Sequence, residues 1–290
     1  MPPIRPFLLE RYFAKHEFST PYHLSSSDCD GWSQAEILGL ADAETRALWD
    51  GLKLGYTESL GLPLLRREIA AQYETVRPEQ VIVAAPQELI ALAMHALLEP
   101  GDHVVCAWPG YQSLYEIAAA IGCTVTRWEP EEHNAWRFSP ERLEKLLTSK
   151  TKLLVFNFPH NPTGYVPSKA EFLRILDVAR KRGVRVFADE MYRLLELDPA
   201  ERLPAACDAY DGAISLCGMS KAFGMAGIRI GWLAVKDAAA YARVAELKDY
   251  TTICSSAPSE ILAVIGLKRQ ALCSSGSQRV TVQPMAAAIS

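Results

Sequence analysis

Seven short runs, most of them rich in Val, Ile, Leu, Phe and Ala, recur along this chain, at 81–84, 103–108, 123–128, 152–157, 184–188, 213–217 and 230–235. A strand that is apolar along its whole length buries both faces, which places it in a parallel sheet covered by helices. The intervening segments have helical character. Residues 87–98 are apolar nearly all round and stop at Pro100-Gly101, and 111–121 closes at Gly122. Ser139-Pro140-Glu141 combines a cap, a proline at the first helical position and an acid in the first turn. Ser168 and Glu171 form a capping-box pattern that opens a helix with Phe172, Ile175, Leu176 and Ala179 inward and Gly183 at its end. Upstream, Leu62, Leu65, Ile69 and Tyr73 repeat at helical spacing, with Pro63 in the first turn. The expected fold is α/β, a mostly parallel seven-stranded sheet with helices on both faces.

Ligands in such sheets bind beyond the carboxyl ends of the strands, and there the chain concentrates its polar chemistry. The fourth run is followed by Asn157-Phe158-Pro159-His160-Asn161-Pro162-Thr163-Gly164, and the fifth by Asp189-Glu190-Met191-Tyr192. The sixth leads through a stretch of glycines and small residues that holds Lys221 and, eight positions on, Arg229. Burial lowers a lysine's pKa, so a neutral amine exists near pH 7 to attack a carbonyl. An arginine offers a planar fork for a phosphate dianion. Together they suggest a covalently held aldehyde phosphate, pyridoxal phosphate. Taken alone, the same stretch also fits a basic surface loop with glycine hinges, and the other motifs must decide.

The joint presence and order of N-x-x-x-N-P-T-G, D-E-x-Y and S-K-x-F-G-x-x-G-x-R-x-G resembles the fold-type I pyridoxal-phosphate enzymes, specifically class I/II aminotransferases. The likeness runs from about Tyr56 to about Val235 and is weaker on either side. It implies pyridoxal 5'-phosphate as cofactor, bound to Lys221 as a Schiff base, and amino-group transfer between an amino acid and a 2-oxo acid. It implies that Asp189 pairs with the pyridine nitrogen, that Tyr192 and Asn161 bond the ring's phenolic oxygen, and that Arg229 clamps the phosphate. Tyr111 matches the aromatic that stacks on the ring. Tyr56 matches a tyrosine reaching the phosphate of a second subunit, which implies a homodimer with shared sites. Outside the motif, Asp189 reads equally as a cap or loop acid, Tyr192 and Tyr111 as packing, and Asn161 as a turn residue.

Two departures thin the expected phosphate site. Ala85-Pro86-Gln87 falls at the family's phosphate-binding helix start, yet Ala85 has no hydroxyl and Pro86 no N–H, leaving Gln87 and its neighbours to donate. Gly218 stands where many members carry a serine; Ser220 is the candidate to compensate. Weaker cofactor affinity is expected.

Family members continue into a small C-terminal domain with the arginine that pairs with the substrate carboxylate. Residues 259–268 read as a helix leading onward, but 273–277 and 286–290 show no amphipathic pattern, and Arg243, Arg269 and Arg279 match no carboxylate-binding motif. The expected organisation is an N-terminal segment at 1–45 (part of the small domain or dimer arm), a cofactor-binding large domain at 46–250, and an interdomain helix with a truncated C-terminal segment at 251–290. The same lysine serves β-lyases, decarboxylases and amino-acid cyclases, and a truncated chain also fits a non-catalytic cofactor-binding protein.

Composition narrows the setting. A net charge of -4 gives no electrostatic footprint for nucleic acid or an anionic membrane, and no apolar run is long enough to span a bilayer. Seven cysteines, odd in number and with no C-x-x-C pair, favour a reducing, cytoplasmic environment without structural zinc, with Cys106, Cys123, Cys217 and Cys254 as small core residues. The six histidines show no metal-ligand spacing, and His95, on an apolar helix, reads as a core residue.

Overall fold

The computed structural model describes residues 3–22 and 25–274. The tail expectations at 275–290, Arg279 among them, lie outside the described residues. The strands are β1 Val81–Ala84, β2 His103–Ala107, β3 Thr124–Trp128, β4 Thr151–Asn157, β5 Arg185–Asp189, β6 Ala213–Gly218 and β7 Gly231–Val235. All seven expected runs are strands, displaced at their ends by no more than one residue. They form one sheet in the order β1-β7-β6-β5-β4-β2-β3. Every neighbouring pair is parallel except those made by β7, which runs antiparallel to both β1 and β6. β6 and β7 are thus joined by a direct return, with Gly218 paired to Gly231 and Ile214 to Val235.

Eleven α-helices accompany the sheet among the described residues: α1 Leu8–His16, α2 Gln34–Gly39, α3 Ala43–Asp50, α4 Pro63–Ala70, α5 Pro86–Leu97, α6 Ser113–Ile121, α7 Pro140–Leu146, α8 Lys169–Lys181, α9 Ala206–Ala209, α10 Ala238–Lys248 and α11 Ala257–Lys268. Their ends follow local chemistry. Ser168 and Glu171 make the reciprocal capping box of α8, and the Ser139 hydroxyl accepts from the Arg142 N–H at the start of α7. Gly122 caps α6 at φ +104°, a left-handed conformation that costs other residues a clash at Cβ. The sequence reading missed α1, α3, α9 and α10. Two of them carry a start signal in plain view: Asp42 accepts from Thr45 N–H and Asp237 from Ala239 and Ala240 N–H.

Alternation along the strands sorts the core into two faces. Ile82, Val104, Cys106, Leu153, Val155, Phe187, Leu216 and Leu233 point to one face and pack under α5, α6 and α10. The opposite face divides in two. Val105, Leu154, Phe156, Val186 and Ala188 meet α7 and α8, while Val81, Val83, Trp232 and Ala234 meet α2, α4 and α11. β3, at the sheet edge, is the least buried strand, with Thr124 and Arg127 exposed and only Trp128 fully buried. Three core assignments are corrected. His95 is exposed, on the solvent side of α5. Cys123 and Cys254 are only partly buried, whereas Cys207 and Cys273 join Cys106 and Cys217 inside; all seven thiols are free.

The Gly218–Gly231 pair accounts for both phosphate-site departures. A Cβ on Gly231 would stand 2.7 Å from Pro86 Cγ and 2.9 Å from Cys217 O, and one on Gly218 would stand 3.2 Å from Pro86 Cγ. The proline that opens α5 is packed onto two facing glycines, so a side chain at either glycine would meet it. Gly231→Ala is expected to destabilise the fold by about 1–3 kcal/mol through overpacking, measured as a lowered urea midpoint. An unchanged midpoint would show that α5 shifts freely.

Candidate active site

The antiparallel return of β7 has a geometric result. Its start lies at the same sheet edge as the ends of β2, β4, β5 and β6, so Arg229 joins the residues that follow those strands. The structure places Tyr111 after β2, Asn161 after β4, Asp189 at the end of β5 with Tyr192 just beyond, and Lys221 after β6. Ala85 precedes α5 at the end of β1, as its N-cap.

Four of these make one connected group. Asn161 Nδ2 donates to the Tyr192 hydroxyl at 3.0 Å, and Lys221 Nζ lies 5.8 Å from the centre of the Tyr192 ring. Asp189 is buried; its Oδ1 accepts from Met191 N–H at 3.0 Å, and its backbone carbonyl accepts from Asn157 Nδ2 at 2.8 Å. Asn157 Oδ1 in turn accepts from Asn161 N–H at 2.9 Å, so the first asparagine of the motif holds the second in place. Burial pushes the Asp189 carboxyl up to about 7, against the Met191 N–H and the positive charge of Lys221. Tyr111 is partly buried, and burial together with the Glu10 carboxylate pushes its phenol above the usual tyrosine value.

The N-terminal segment completes the group, which the sequence reading did not foresee. Lys221 Nζ makes a short ion pair with Asp28 and donates to Ser27 Oγ at 3.2 Å, and that oxygen lies 2.8 Å from the Tyr192 hydroxyl. Trp32 N–H donates to Gly224 O at 3.0 Å and the Cys29 thiol to Lys221 O at 3.1 Å, stitching the segment to the lysine loop. Further out, the Tyr111 hydroxyl donates to Glu10 at 3.1 Å, and Arg5 grips the buried Glu116 of α6 with Nε 2.8 Å from Oε1 and Nη2 2.6 Å from Oε2. Ser27-Asp28 reads in sequence as an ordinary loop before a helix; only a contact across about 190 residues gives it a role.

This corrects one expectation. Burial does push Lys221 down, but the charges of Tyr192 and Asp28 and the Asp28 hydrogen bond outweigh it, so the amine sits above the usual lysine value. The neutral amine expected from burial alone is absent here because a counter-ion is supplied. Arg229 is also not drawn into the group. It is exposed, donates through Nη1 to Ala226 O at 3.0 Å, and has a left-handed backbone (φ +57°), an uncommon state for a side-chain-bearing residue. Tyr56 lies apart, 91% exposed beside an open depression of about 590 Å³ lined by Leu54, Gly55 and residues 254–258. Gln87 Oε1 accepts from the Ser113 hydroxyl at 3.3 Å, and Ser220 is half-buried next to Lys221. Among the described residues no cluster of His, Cys, Asp or Glu has metal-binding geometry.

The residues present fit pyridoxal phosphate. A buried carboxyl raised to about 7 favours a cationic ring nitrogen as partner, a hydroxyl and an amide converge for an anionic ring oxygen, and a primary amine stands beside both. A lysine, an aspartate and a tyrosine–asparagine pair at the carboxyl edge of this sheet define a fold-type I pyridoxal-phosphate protein. The family profile described as aminotransferase class I and II matches residues 20–286, and the chain belongs to that family. Alanine aminotransferase of Mycobacterium tuberculosis is 33% identical over 189 residues, 62% of this chain and 44% of that protein. Capreomycidine synthase of Streptomyces vinaceus is 31% identical over 272 residues, 92% of this chain and 67% of that protein. A PLP-dependent aminotransferase structure from Streptococcus suis superposes with a TM-score of 0.87 at 28% identity, covering 94% of this chain and 73% of that one. The match thus spans less than half the length of the mycobacterial relative.

His160 joins two of the loops that carry the site. Its Nε2–H donates to Pro109 O at 2.9 Å, so Nδ1 accepts from the Thr163 hydroxyl at 2.7 Å. Burial pushes its pKa down to about 4. An unfolded histidine near 6.5 then binds a proton that the native one refuses, so this contribution is complete above about pH 6.5 and is lost as pH falls towards 4. It amounts to about 3 kcal/mol at most. His160→Asn should flatten that part of the stability–pH curve in urea unfolding between pH 4 and 6.5; parallel curves for the two proteins would contradict it.

Proposed function

We propose that this chain binds pyridoxal 5'-phosphate through Lys221 and carries the cofactor half of an aminotransferase acting between an amino acid and a 2-oxo acid. The observation that carries the reading is the hydrogen-bonded convergence of Lys221, Tyr192 and Asn161 beside the buried Asp189. When bound, the cofactor supplies a carbonyl for amine exchange and a ring that accepts electrons from the substrate α-carbon. Lys221 holds the cofactor and, once freed by an incoming amino acid, moves a proton between the substrate α-carbon and the cofactor's C4′. Positioned proton transfer of this kind contributes about 10²–10⁴-fold. Asp189 keeps the ring nitrogen protonated. Tyr192 and Asn161 orient the phenolic oxygen and favour its anionic form, and Tyr111 covers the ring face. Arg229, bonded to the Ala226 carbonyl here, swings to the phosphate, with Ser220 and the Ala85–Pro86–Gln87 start of α5 beside it.

Leu54 and Tyr56 are 88% and 91% exposed, a state that suits a loop covered by a second copy, with Tyr56 reaching that copy's phosphate. We read 1–45 as an N-terminal segment (part of the small domain or dimer arm), 46–250 as the cofactor domain, and 251–290 as the interdomain helix α11 with a C-terminal segment. Seven free thiols suit a reducing, cytoplasmic setting. A second reading, amino-acid cyclisation on the same lysine, is favoured by the match to capreomycidine synthase over 92% of this chain.

Lys221→Ala is expected to abolish both turnover and the covalent cofactor band in the visible spectrum, whereas Asp189→Ala retains the band with turnover lowered about 10²-fold or more. Amino acids added to the loaded chain should convert it to the pyridoxamine form and release a 2-oxo acid. Unchanged turnover in Lys221→Ala would sink the assignment, and a cyclised product in place of the oxo acid would favour the second reading.

A further inference from the structure

We propose that Asn157 is a positioning residue of this site, holding Asp189 and Asn161 at a fixed separation so that both ends of one ring are met at once. The inference rests on reading Lys221 as the cofactor lysine. Asn157 is the last residue of β4 and pairs in register with Asp189, the last residue of β5. Both are buried, at 3% and 5% exposure. The ladder already gives the Asp189 carbonyl one donor, Phe158 N–H at 3.2 Å. Asn157 Nδ2 adds a second at 2.8 Å, while its Oδ1 takes the Asn161 N–H at 2.9 Å. One planar amide therefore bonds to the backbone of both residues.

Each bond acts on a different end of the ring. A carbonyl held by two donors fixes the peptide plane that follows Asp189, and with it the direction in which the carboxyl leaves the strand end. The Met191 N–H on Asp189 Oδ1 at 3.0 Å then sets the rotation of that carboxyl. On the other side, Asn161 lies beyond the end of β4, so its N–H has no ladder partner and Asn157 Oδ1 supplies one. That bond sets where Asn161 Nδ2 meets the Tyr192 hydroxyl at 3.0 Å. Burial dominates the Asp189 carboxyl, and Asn157 is among the groups that pull against it. Groups that act together on one ligand must hold within about 0.5 Å of their working positions, a precision harder to keep on a loop than on a strand. The Asn157 amide ties the loop that carries Asn161 back to two strand ends.

The test uses the full chain titrated with pyridoxal 5'-phosphate, uptake by the unsubstituted chain being verified first by absorbance. Two readouts are followed: the pH at which the covalent band changes colour, and the cofactor concentration at half-saturation. Asn157→Ala is expected to raise that pH by about one unit, because a displaced Asn161 no longer draws charge from the ring oxygen, and to weaken cofactor retention about tenfold. In an Asn161→Ala background the pH shift should disappear. In an Asp189→Ala background the retention loss should shrink to about twofold or less, since each effect then has no residue to pass through. Asn157→Ser, which keeps a small polar group at the strand end, carries the same expectations if Asn157→Ala does not fold. A lowered urea midpoint with both readouts unmoved, effects that add in full in either background, or failure of both variants to fold would overturn the positioning role alone. An unsubstituted chain that takes up no cofactor would overturn the Lys221 reading as well.

Discussion

The reversal of one strand organises this molecule. Had β7 continued the parallel pattern, Arg229 would begin at the far edge of the sheet, out of reach of Lys221. Because β7 returns directly beside β6, the loop between them is anchored at both ends by strand hydrogen bonds and lies over the edge where β2, β4 and β5 finish. The close approach of Gly218, Gly231 and Pro86 fixes α5 against that return. The same contact that removes a serine and an N–H from the phosphate side therefore sets how the helix meets the sheet, and local packing and ligand chemistry trade against each other at three residues.

Charge, more than shape, distinguishes the interior of the site. Asp189 is held in low dielectric and resists ionisation, while Lys221 is supplied with an anion and resists deprotonation. Both shifts run upward from different causes: desolvation dominates for the Asp189 carboxyl, whereas for Lys221 desolvation is outweighed by Tyr192 and by the charge and hydrogen bond of Asp28 acting together. On the proposed reading, Asp189 would gain a cation from a protonated ring nitrogen and Lys221 would leave its anion to hold the aldehyde carbon.

Much of this was legible in the sequence. All seven strands, the cap of α7, the capping box of α8 and the order of Asn161, Asp189, Tyr192 and Lys221 follow from apolar runs and local motifs, because those signals are short-range. Three kinds of information were not local. The direction of β7 depends on which strands pair, which a run of Ile, Gly, Trp, Leu, Ala and Val does not encode. The pKa of Lys221 depends on Asp28, nearly two hundred residues away, so burial alone gave the wrong sign. The exposure of His95 depends on which side of α5 faces outward, and a helix apolar nearly all round conceals that. α3 and α10 were overlooked although Asp42 and Asp237 mark their starts, a failure of reading and not of signal.

Gln112 precedes α6 and grips the N-terminal arm from both sides, its amide oxygen accepting from Leu8 N–H and its amide nitrogen donating to Pro6 O. With the Arg5–Glu116 fork on the following helix turn, it moors the arm to the segment that also presents Tyr111. Arm and aromatic platform therefore travel as one carriage. The Tyr111–Glu10 hydrogen bond is thus set by a neighbour one residue from Tyr111 and not by the distant sheet.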